Sequence, residues 1–192
     1  MRKSAFFATL AAGLLLALPA AAADSPLMAM FKDMCVSTRA AMEPSLAKGD
    51  AKGWQALPKE MFSGEEFKEM EKFEARYSAE GGGIKMLFVG VGKIDTEWGP
   101  TKVDICFVAD STADADALLK ETQAFAGVQP AKGAGAANQT MWAYVDGPKG
   151  RVTAAGMSDA DTAAAAKAGN ARILLHQKET GLTMVGYAIP RL

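Results

Sequence analysis

The chain predicts an α+β fold: an antiparallel sheet of about six strands, ordered β-β-α-β-β-α-β-β and largely meandering, with two N-terminal helices packed on it. Three observations lead there. Ile84 to Ala109 alternates as a hairpin. The order strand, strand, helix then returns from Thr140 onward. Two stretches before the hairpin carry apolar stripes at helical spacing.

The first 23 residues stand apart. Arg2 and Lys3 open the chain, Ala5 to Leu18 is apolar, Pro19 breaks the run, and Ala21-Ala22-Ala23 precedes Asp24. That is the layout of a cleaved secretory signal, and the apolar run is shorter than the roughly 20 residues that span a bilayer. The expected organisation is therefore a signal peptide over 1–23 and one exported domain over 24–192, periplasmic or secreted. Removal of Arg2 and Lys3 takes the net charge from −1 to −3. No basic run survives, which argues against nucleic acid or an anionic membrane as partner. No later stretch is apolar enough to cross a membrane.

Pro26 to about Lys48 reads as the first helix. Leu27, Met30, Phe31, Met34 and Cys35 recur at three-and-four spacing. Ser25 suits its N-cap, Pro26 its first turn, and Pro44 is expected to end or kink it near Met42. Lys48 to Pro58 is a connection in which Trp54 and Leu57 suit an anchor. A second helix is expected from Ser63, where Glu66 completes a capping box and Phe67, Met70, Phe73 and Tyr77 follow one stripe. Gly81-Gly82-Gly83 ends it.

Neighbouring strand residues point to opposite faces. Ile84, Met86 and Phe88 therefore share one face of the first strand, and Val103, Ile105 and Phe107 share one face of the second. Lys85, Leu87, Val89 and Val91 oppose the first set; Lys102, Asp104, Cys106 and Val108 oppose the second. One face is strongly apolar and the other mixed, so cover is expected on both. Gly99-Pro100 supplies a turn.

After the hairpin, the aspartates from Asp110 to Asp116 lack the spacing and central glycine of a calcium loop. They read as a helix start capped by Ser111 or Thr112, running to Ala126 and stopped by Gly127. Val128 to Ala137 is a loop. Thr140 to Asp146 and Arg151 to Gly156 are strands around Gly147-Pro148-Lys149-Gly150. Ser158 caps an alanine-rich helix to Ala168. Ala171 to Lys178 and Leu182 to Ile189 are the last strands, joined at Thr180-Gly181.

The two cysteines, Cys35 and Cys106, are expected to form a disulfide tying the first helix to the hairpin; two separate thiols are the alternative. No Cys-x-x-Cys is present, so thioredoxin-like chemistry has little support.

No motif names an activity. Gly90-Val91-Gly92-Lys93 lacks the first glycine of a phosphate loop, since Leu87 stands there. There is no Gly-x-Ser-x-Gly elbow. The single histidine, His176, shares a face with Arg172, Leu174 and Lys178; this reads as the wetter face, so His176→Ala is expected to leave stability nearly unchanged. Asp95, Glu97 and Asp104 near the hairpin turn are candidates for an acid/base pair. Met28, Met30, Met34 and Met42 are the residue type that binds cuprous copper, though methionine at helical spacing is ordinary core filling.

The reading that results is a non-enzymatic exported binding or accessory module stabilised by one disulfide, with no cofactor. Glu97, Trp98, Trp142 and Tyr144 are the candidate ligand-binding residues, and the partner is a small molecule, peptide or protein. The alternatives are a small hydrolase using the turn carboxylates or His176, and a methionine copper-binding protein.

Overall fold

The computed structural model describes residues 23–62, 64, 68–96, 99–133 and 137–191. The expected signal peptide, the Ser63 cap and its Glu66 partner therefore lie outside the described residues. The fold is α+β, with one antiparallel sheet of eight strands and four α-helices among the described residues.

Helix α1, Pro26–Phe31, starts as its sequence dictates: Ser25 Oγ accepts from the Met28 amide, and Pro26 sits where no amide donor is needed. The helix then widens into a π-helical turn, Lys32–Val36. This turn buries Met34 and Cys35 together. The expected single helix to Lys48 is interrupted here. Arg39 and Ala40 adopt left-handed backbone angles, φ 55° and 56°, and Ala40 N–H returns to the Cys35 carbonyl. A new helix, α2, spans Met42–Ala51. Pro44 does not end a helix but sits in the first turn of this one, where its missing donor costs nothing.

The two-residue strand β1, Gln55–Ala56, and a 3₁₀ turn, Lys59–Phe62, lead to β2, Met70–Ser78. The expected second helix is thus a strand over its entire described C-terminal half. Phe73, Ala75 and Tyr77 also fit a period of two, and pairing along β3, Lys85–Thr96, outweighs a helical preference in isolation. Strand β3 pairs with β4, Gly99–Asp110, from Lys85↔Asp110 to Thr96↔Gly99. Gly99 is therefore part of the ladder rather than of a turn.

Helix α3, Ala115–Ala126, is capped by Asp114, not by Ser111 or Thr112; Asp114 accepts from the Asp116 and Ala117 amides, and Gly127 closes the helix at φ 66°. Thr112 instead donates to Asp110. Strands β5, Gln139–Gly147, and β6, Gly150–Thr153, precede α4, Asp159–Lys167, capped by Ser158 as expected. Strands β7, Ala171–Glu179, and β8, Leu182–Arg191, complete the sheet.

The sheet order is β1-β2-β3-β4-β8-β7-β5-β6. It is not a simple meander: the C-terminal strand inserts beside β4 and joins the two halves. The count rises from six to eight through β1 and β2.

The core lies on the mixed face of the hairpin. Leu87, Val89, Cys106, Val108, Val185, Tyr187, Leu174, Trp142 and Tyr144 meet Leu27, Phe31 and Met34 of the N-terminal helical segment and Leu118 and Ala126 of α3 there. Helix α4 lies against β7 and β8 without contributing to that cluster. On the opposite face, Phe88, Phe107, Leu175 and Met141 line up across the strands, with Gly186 beneath Phe107. These side chains remain half-buried. Phe62 covers one corner, its ring 4.7 Å from Phe73. The charged residues of the mixed face fall at the strand ends, which leaves its apolar middle free to take the helices.

Cys35 and Cys106 are bonded, with Cα atoms 5.4 Å apart and both residues fully buried. The link joins the π-helical turn to the middle of β4.

Candidate functional site

The expected site residues are distributed as follows. Glu97 and Trp98 lie outside the described residues. Trp142 and Tyr144 are both fully buried and line no surface groove. The Trp142 indole donates to Gln123 Oε1 at 2.9 Å. The Tyr144 hydroxyl lies 3.4 Å from that of Tyr187, and burial pushes the Tyr144 phenol far up from its ordinary range. Arg151 stacks over Tyr144 at 4.8 Å and Phe125 at 4.5 Å. Asp146 holds both Arg151 and Arg172, at 3.2 and 3.1 Å. These aromatics form the cation-braced floor of the core.

His176 does not occupy a wet face. It is 5% exposed, on the same side as Leu174 and Val185. Arg172 and Lys178 mark the ends of that face, and α3 covers its middle. Burial lowers the imidazole pKa, with the Ala115 backbone and Asp116 opposing. Its Nε2 has no hydrogen-bond partner among the described residues. Asp104 is buried and ion-paired to Arg191, while Asp95 is exposed. Met28 and Met34 are buried in the core, and Met30 lines a surface cleft.

That cleft, about 480 Å³, lies between α1, the end of α2 and the β2–β3 rim. Pro26, Ala29 and Met30 form one wall from the outer side of α1. Trp54 forms another: Gly53, at φ 74°, turns the chain after α2, and the Trp54 amide donates to the Gly49 carbonyl. Ser78 and Lys85, register partners across β2 and β3, close the third side. The Glu80–Gly82 turn, with Gly81 and Gly82 at φ 77° and 81°, carries Glu80 to the rim.

Asp33 and Lys52 complete the lining. Asp33 Oδ1 receives Lys48 at 2.6 Å, and Oδ2 lies 3.4 Å from Lys52. The hydrogen bond from Lys48, reinforced by Lys52, holds the Asp33 carboxyl below its ordinary pKa. The cleft thus sets an apolar wall of Pro26, Ala29, Met30 and Trp54 against the charged and polar Asp33, Lys52, Ser78, Glu80 and Lys85.

Trp54 is legible in the sequence as an anchor, and Lys85 as part of the mixed hairpin face. Their meeting with Met30 depends on three separate elements. No helix among the described residues is long and apolar enough to cross a membrane. No protein-family profile, curated protein or solved structure matches this chain.

Proposed function

We propose that the chain is an exported, non-enzymatic binding module, stapled by Cys35–Cys106, that takes a small amphipathic molecule into the cleft of Met30 and Trp54. The observation that carries this is the cleft itself. Its volume of about 480 Å³ falls within the range of ligand sites. Met30 and Trp54 stay only partly buried although both pack against the core, so apolar surface is left facing the opening. Export agrees with the N-terminal pattern and with a disulfide.

The hydrolase reading has less support. His176 is covered by α3 and has no carboxylate bonded to it among the described residues, and Asp104 is engaged by Arg191. The copper reading loses Met28 and Met34 to core packing.

The test is a ¹H–¹⁵N NMR titration of residues 24–192 with 3-phenylpropanamide, a neutral apolar probe. Shifts are expected at the amides of Met30, Trp54, Ser78 and Lys85, and their loss in Trp54→Ala. No shift at these positions at millimolar probe, or shifts unchanged in Trp54→Ala, would overturn the reading. Export is checked by N-terminal sequencing of periplasmic protein, with Asp24 expected first.

A further inference from the structure

The cleft also carries information about the charge of what it holds. Resting on the binding reading above, we infer that the ligand is an apolar carboxylate, gripped through its carboxyl group by Lys85 and Ser78 and through its body by Met30 and Trp54.

The argument starts from the rim charges. Lys85 is half-buried, and its ammonium has no ion pair or hydrogen bond among the described residues. Two acids stand near enough in the fold to matter. Asp110 is its register partner on β4, but Asp110 Oδ1 is occupied by the Thr112 amide and hydroxyl, both at 2.7 Å. Asp33, across the cleft, already holds Lys48 and Lys52. An unpaired ammonium at the edge of the cleft is free to donate a charge-assisted hydrogen bond to an incoming carboxylate.

Ser78 supplies a second donor. It is the neighbour of Lys85 on the same side of the β2–β3 ladder. Its Oγ accepts from the Glu80 amide at 3.3 Å, which leaves the hydroxyl hydrogen available for donation. Ammonium and hydroxyl side by side on two paired strands suit the two oxygens of one carboxylate. Lys52 adds positive potential from the opposite wall.

An amine-bearing ligand finds no equivalent. Asp33 is matched by two lysines, and Glu80 is exposed at the outer rim, where an ion pair contributes little. The apolar remainder of the ligand meets Trp54 and Met30, an aromatic ring and a thioether that both adapt to a ring or chain.

Three probes of one shape separate the possibilities: 3-phenylpropanoate, 3-phenylpropanamide and 3-phenylpropylamine, titrated by NMR into residues 24–192. The acid is expected to bind most tightly and the amine least, and Lys85→Gln to weaken the acid about tenfold or more, a larger factor than it weakens the amide. Lys85→Arg should retain the preference, which distinguishes a lost charge from a disturbed strand. If Lys85→Gln does not fold, Ser78→Ala is expected to narrow the gap between acid and amide. Equal binding of all three probes, or an acid preference that survives both substitutions, overturns the carboxylate inference and leaves the binding reading standing. Failure of all three to shift the cleft amides overturns both.

Discussion

The disulfide gives the sharpest energetic prediction. Cys35 and Cys106 are 71 residues apart in sequence. Closing a loop of that length restricts the unfolded chain by about 4 kcal/mol on the chain-entropy account. Both sulfurs are fully buried, so removing them also leaves a small void, costing roughly a further 1 kcal/mol. The double variant Cys35→Ala/Cys106→Ala avoids burying a hydroxyl and should lose about 5 kcal/mol, comparable with the whole stability of many domains. Urea unfolding of residues 24–192, followed by circular dichroism, measures this. The m-value should rise, because the unlinked unfolded chain exposes more surface. A loss below about 1 kcal/mol would refute the reasoning. So would quantitative thiol labelling of the unreduced, denatured protein.

Two other substitutions test the packing on the two faces of the sheet. His176 is buried as the neutral imidazole, its folded pKa below the unfolded 6.5. Between those values the unfolded state binds more protons. Stability is therefore full above about pH 6.5 and declines as pH falls through that window. Urea unfolding at pH 7.5 and 5.5 should show the decline, and His176→Gln should make it shallower; an identical slope would put His176 in water. A Cβ at Gly186 would overlap the Phe107 ring, so Gly186→Ala should cost about 1–3 kcal/mol. The cost should largely vanish in a Phe107→Ala background, and equal costs in both backgrounds would mean the ring is not the obstacle.

Much of the chain's organisation is legible residue by residue. Ser25 and Ser158 cap helices, Gly127 ends one, and the alternation around Cys106 makes a strand with the expected faces. These signals are local, and they act before any distant contact forms. Asp114 competes with four other oxygen side chains, Asp110, Ser111, Thr112 and Asp116. In Met70 to Tyr77, Phe73 and Tyr77 satisfy both helical and strand periods, and only an adjacent β3 decides between them. Met30, Trp54 and Lys85 carry no joint sequence signature, since each belongs to a different element.

The faces of the sheet separate the two levels most clearly. Alternation by itself determined which side chains of one strand stand together: Met86 with Phe88, Cys106 with Val108, Leu174 with His176. It did not determine which set would be sealed. In the more apolar set Phe88, Ile105 and Phe107 stay half-buried and Ile84 is exposed, and the mixed set became the core, because Cys106 anchors the N-terminal helical segment to it and α3 closes over His176. Side-chain direction is a property of each strand's own backbone, whereas burial depends on which distant segments come to rest on it.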